Sequence, residues 1–113
     1  MVDHTIAIKQ IYQLLSDLVE QGYQPTQACL FGSVATGQQH AHSDIDLAVW
    51  DSRFTGCLAI DYEPIKHLLT RYPLIELHTF SPADTKEANP WVSEILSHGT
   101  LLDLRQIQQK QAA

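Results

Sequence analysis

Paired cysteines, clustered cations and long apolar runs are all missing from this 113-residue chain, and each absence removes a class of function. Its only cysteines, Cys29 and Cys57, form no close-spaced metal or redox motif. Cys29 lies in an apolar run and reads as a small buried hydrophobe. Lysine and arginine number 7 against 13 acidic residues, for a formal charge of −6. The cations are scattered singly between Lys9 and Lys110, whereas neutralising a nucleic-acid backbone needs them clustered. Direct nucleic-acid binding is therefore not expected. No apolar stretch approaches the roughly 20 residues that span a bilayer. The first residues also lack the basic-then-apolar order of a secretory leader, so a cytoplasmic protein with no membrane contact is expected.

What is present is ordinary globular material, 44% apolar and 18% charged. The length suits one domain, expected over residues 1–105, with the glutamine-rich 106–113 as a loose tail. From Thr5 to Gln21, Ile8, Ile11, Leu15 and Leu18 recur at helical spacing, widened by Leu14 and Val19. Asp3 or Thr5 is suited to cap that helix and Gly22 to stop it. Ala28 to Phe31 reads as a buried strand ending at Gly32. Asp44 to Trp50 alternates as a half-buried strand does. Tyr62 to Thr70 reads as a helix, Leu74 to Phe80 as a third strand after Pro73, and Asn89-Pro90 as a helix start with Trp91, Val92, Ile95 and Leu96 on its apolar face. Thr100 to Leu104 is a candidate last strand. This order predicts an α/β layer fold.

The spacing that carries chemistry is Leu30-Phe31-Gly32-Ser33, ten residues, then Asp44-Ile45-Asp46. Strand side chains alternate, so Asp44 and Asp46 share a face about 7 Å apart along the strand. Two adjacent carboxylates repel unless solvated, and they are useful where they hold one or two hard divalent cations. Glycine lets backbone approach a ligand, and free N–H groups beside the Ser33 hydroxyl make a phosphate-sized anion site. Phosphates facing metal-binding carboxylates are what transfer from a nucleoside triphosphate requires. On the third strand Leu74, Glu76 and His78 share one face while Ile75 and Leu77 take the other. If that strand pairs beside the Asp44 strand, Glu76 joins the carboxylates, placed to bind metal and to accept a proton from an acceptor hydroxyl.

Phe31-Gly-Ser-Val-Ala-Thr-Gly37 followed by Ser43-Asp-Ile-Asp-Leu-Ala-Val49 resembles the minimal nucleotidyltransferase (MNT) branch of the polymerase-beta superfamily. The stretch Ile75 to Pro82, with Asn89-Pro90 and Glu94-Ile95-Leu96, is similar to one of its subgroups. The resemblance implies a small mixed β-sheet flanked by helices. It also implies metal-dependent transfer of a nucleoside monophosphate to a hydroxyl, with Mg2+ or Mn2+ as cofactor and ATP as substrate. Asp44, Asp46 and Glu76 would be the catalytic metal ligands, and Gly32 and Ser33 the triphosphate site. Small stand-alone members often partner a helical HEPN ribonuclease toxin and act as antitoxin by adding AMP to a toxin tyrosine. Many relatives carry arginine in the glycine-serine loop, where this chain has Val34 and Thr36, and their third carboxylate is often aspartate. A second reading is therefore an antitoxin with little or no turnover that neutralises its partner by binding. A third is a transferase acting on a small-molecule hydroxyl, which needs an acceptor pocket from a second domain or a dimer.

Some signals admit plainer readings. His40-Ala-His42-Ser-Asp44 matches the His-x-His-x-Asp of zinc hydrolases, but those domains are far longer and draw ligands from other segments. His40 and His42 are read as loop residues near the site. His78 is either a metal or nucleotide contact or a half-exposed strand histidine, and Trp91 a helix-start anchor in the core or at an interface. Lys66 and Arg71 read as a solvated face, and Tyr62 and Tyr72 as rim packing. A homodimer and a heteromer both remain open.

Overall fold

The computed structural model describes residues 4–32 and 45–107. Helix α1 (His4–Glu20) leads into strand β1 (Gln27–Phe31), and the described chain resumes in β2 (Ile45–Trp50). Two short helices, α2 (Leu58–Tyr62) and α3 (Lys66–Leu69), then carry it to β3 (Ile75–Phe80). Helix α4 (Pro90–His98), the short strand β4 (Thr100–Leu101) and a 3-10 turn (Leu104–Gln106) follow. The strands form one sheet in the order β3-β2-β1-β4. β1 runs antiparallel to β2 and to β4, while β2 and β3 are parallel. A parallel pair needs a crossover, and α2 and α3 supply it.

Alternation along β2 sorts the molecule into two layers. Ile45, Leu47 and Val49 point to one face, where Ile11, Leu14, Leu15 and Leu18 of α1 meet them together with Leu30 and Leu77. The other face carries Cys29, Ala48, Trp50 and Phe80 beneath Val92 and Ile95 of α4. Cys29 is fully buried there, its thiol donating weakly to the Ile95 carbonyl at 3.8 Å, and burial pushes its pKa up to about 11. Among the described residues, no helix is long and apolar enough to cross a membrane.

Local chemistry explains most element ends. Gly22 stops α1 in the left-handed region at φ 97°, where a side chain would be strained. Asn89 caps α4 by accepting from the Trp91 N–H at 3.0 Å, with Pro90 at the first helical position. The helix expected over Tyr62 to Thr70 is instead split in two, starting earlier at Leu58 and broken around Glu63–Ile65. Pro64 has no N–H to give the preceding turn, so the helix ends and restarts beyond it. The start at Leu58 is held by Asp61, whose buried carboxylate accepts from the Thr55 N–H at 2.8 Å, the Gly56 N–H at 3.0 Å and the Thr79 hydroxyl at 2.7 Å. β4 is shorter than the strand expected to Leu104, because Asp103 accepts from the Arg105 N–H and turns the chain. Ile107 still packs against the α1-side core.

Tyr62 and Tyr72 do more than pad the rim. Tyr62 donates its hydroxyl to the Leu77 carbonyl at 2.6 Å on the β3 edge. Tyr72 donates to the buried Asp17 at 2.6 Å, and Arg71 reaches the same carboxylate at 3.4 Å. Burial and the Asp17 charge together push the Tyr72 phenol up to about 12.

Candidate functional site

Strand register builds the site. Phe31 pairs with Asp46 across β1 and β2, and Asp46 pairs with Glu76 across β2 and β3, so the three form one row over the sheet. The next row on that face is Cys29, Ala48 and His78, which α4 begins to cover. Among the described residues no helix lies over the carboxylates of the first row, and they reach solvent. The Asp46 side chain is 25% exposed and that of Glu76 55%.

Gly32 closes the strand end beside Asp46. It sits at φ 79°, and a Cβ placed on it would overlap Oδ2 of Asp46. The position therefore requires glycine twice over, once for its backbone and once for the carboxylate packed against it. This close approach ties Gly32 to the acidic row. Ser33, Asp44, His40 and His42 lie outside the described residues, so their expected places beside Gly32 and Asp46 carry no structural description.

His78 brings a nitrogen to the acidic pair. Its Nε2 lies 3.3 Å from Asp46 Oδ1 and 3.9 Å from Glu76 Oε1. Asp46, Glu76 and His78 each offer one donor atom, and all three lie within 4.8 Å of one another. Adjacent carboxylates repel each other unless solvated, and a divalent cation held between them would offset that repulsion. Two hard oxygens and an imidazole nitrogen in this space are a donor set that fits such an ion. The acidity also extends to the crossover: burial raises the Tyr62 phenol, and the Glu76 charge adds to the rise.

The imidazole is held by aromatic rings that sequence spacing did not assemble. Phe31 lies 5.1 Å from the His78 ring, and Trp91 meets it edge-on at 5.3 Å. Trp91 also stands edge-on to Phe31 at 6.4 Å and against Phe80 at 5.5 Å. Trp91, the expected helix-start anchor, is thus half-exposed at 48% and forms a wall of the site. The available signal was its place at the start of α4, which packs over the face that carries Asp46.

An α/β layer with a mixed four-stranded sheet, an acidic row at the end of two adjacent strands and a glycine pressed against it is the architecture of a nucleotidyltransferase domain. The chain belongs to the family described as Polymerase beta, Nucleotidyltransferase, which matches residues 9–107. Among solved structures it is similar to a chain of a crystal structure of a toxin-antitoxin with AMP-PNP, with a TM-score of 0.55 and 20% identity. That match covers 88% of this chain and 74% of the other, and at this identity it speaks for the fold. No curated protein matches the sequence.

Proposed function

We propose that this protein is a metal-dependent nucleotidyltransferase of the MNT type that moves AMP from ATP to a hydroxyl, a tyrosine, of a partner HEPN toxin and so acts as its antitoxin. The observation that carries the reading is the Asp46–Glu76 pair set opposite each other with Gly32 packed on Asp46. In this reading Asp44, Asp46 and Glu76 hold Mg2+ or Mn2+, and Gly32 and Ser33 hold the triphosphate through backbone N–H groups and the serine hydroxyl. When bound, the ion supplies Lewis-acid stabilisation of the phosphate charge.

The residues of the chain then divide the remaining work. Asp46 is fixed by Gly32 and by the His78 contact, so its carboxylate orients the site. Glu76 is the more exposed acid and accepts the acceptor proton as the oxygen attacks the α-phosphorus. The bond from that phosphorus to the bridging oxygen breaks, and pyrophosphate leaves with the electron pair. In this reading the acceptor hydroxyl is presented by a second polypeptide. The toxin-antitoxin assembly of the similar structure supports that setting, and its AMP-PNP supports adenosine triphosphate as donor.

The test is incubation of the complex with ATP labelled at the α- or the γ-phosphate, with and without Mg2+. Label from the α-position on the partner, none from the γ-position and none without metal is the expected result. A stable complex with no transfer would replace this reading by a binding antitoxin. Val34 and Thr36, at positions where the family resemblance leads one to expect arginine, favour that second reading.

A further inference from the structure

We infer that His78 is a metal ligand, and that its nitrogen biases the site toward Mn2+ and later divalent metals over Mg2+. The inference rests on the metal-dependent reading above and adds to it the residue that selects the metal. An ion with bonds of about 2.1 Å separates adjacent donors by roughly 3 Å. Nε2 of His78 is 3.3 Å from Asp46 Oδ1, already close to that spacing. The longer gap, 3.9 Å to Glu76 Oε1, involves the most exposed and most flexible of the three side chains, so it is the one that closes.

The imidazole is also pre-positioned. Its side chain is only 12% exposed, with Phe31 on one side at 5.1 Å and the Trp91 edge on another at 5.3 Å. A free surface histidine loses rotamer freedom when it ligates, and this one has already lost it on folding. Carboxylates alone suit Mg2+, which takes hard oxygen donors and keeps its waters. An imidazole nitrogen favours the first-row divalent series, of which Mn2+ is the first and hardest member and the one that shares the carboxylate preference of Mg2+. The competing role is a hydrogen bond from His78 to Asp46 that only balances its charge. In that case the metal would see oxygen alone.

Two measurements on the purified full chain decide between these roles. Calorimetric titration with Mn2+ alone and Mg2+ alone is run on wild type, His78→Ala and His78→Gln. Wild type is expected to bind Mn2+ at least about ten-fold more tightly than Mg2+. His78→Ala is expected to weaken Mn2+ binding at least about three-fold more than Mg2+ binding and so to erase most of that preference. Electron spin-echo modulation of Mn2+-loaded wild type is expected to show a coordinated imidazole nitrogen, a readout that does not depend on any variant folding. Mn2+ binding with no nitrogen modulation, or equal weakening of both ions in both variants, would overturn the assignment and leave the transfer reading standing. If wild type bound neither ion, both would fall together.

Discussion

The two faces of the sheet use the same strands and end with opposite characters. On one face α1 supplies 17 residues, roughly 25 Å of helix, and packs Ile11, Leu14, Leu15 and Leu18 into one core with Ile45, Leu47 and Val49 of β2. Nothing ionisable points into that layer from β2, where Ile45, Leu47 and Val49 are all fully buried. On the other face α4 has only 9 residues, about 14 Å; it covers the rows of Ala48 and Trp50 and touches the row of Asp46 at Phe31, through Trp91. Among the described residues, the carboxylates of the candidate site lie beyond this short helix. The proposed reaction thus falls on a different face from the fully buried layer, and substitutions on each should separate transfer from stability.

The largest effect is expected on the closed face. Leu77→Ala removes a fully buried side chain and should cost about 2–5 kcal/mol in urea unfolding. On the open face, one step along the same strand, Glu76→Gln should change stability by less than about 0.5 kcal/mol yet lower transfer roughly 100-fold or more. Comparable stability losses at both positions would break the comparison.

Gly32→Ala comes next, because it strains a residue at φ 79° and displaces Asp46 together. A loss of about 1–2 kcal/mol is expected, with metal affinity falling in the same calorimetric titration. An effect of similar size, but dependent on pH, lies at the crossover. Burial alone would raise the Asp61 carboxyl, but hydrogen bonds from Thr55, Thr79 and Gly56 outweigh it and hold the group below its ordinary value. A lowered folded-state pKa adds stability above the unfolded value of about 3.9, and that stability is lost as pH falls through the folded value. Asp61→Asn should therefore cost roughly 1–3 kcal/mol near neutral pH, and the gap from wild type should narrow below about pH 4. Urea midpoints across that range check the sign.

The smallest effect is chemical. Cys29 is buried with its pKa pushed up to about 11, whereas Cys57 is exposed. A thiol reagent at neutral pH should label one cysteine per folded chain and both in denaturant.

What was legible in the sequence was periodic within single elements. The α1 stripe through Ile11, Leu15 and Leu18, the run Ala28 to Phe31 and the alternation about Asp46 all correspond to observed elements, because side-chain direction inside a helix or strand is local. The apposition of Glu76 with Asp46 depended on which strands pair, and that is settled only when the crossover folds β3 parallel to β2. The wall made by Phe31 and Trp91 joins residues far apart in the chain, so no spacing announced it. Asp51 and Asp61 escaped notice, yet each is buried and accepts backbone N–H groups, Asp51 from Gln24 and Arg53 and Asp61 from Thr55 and Gly56.

The most direct test is Asp46→Asn in the intact complex, with transfer of α-labelled phosphate followed beside the urea midpoint. The expected result is a midpoint close to wild type, an undisturbed complex and transfer reduced roughly 100- to 1,000-fold. Undiminished transfer by that variant would contradict the assignment of the acidic row as the reacting site.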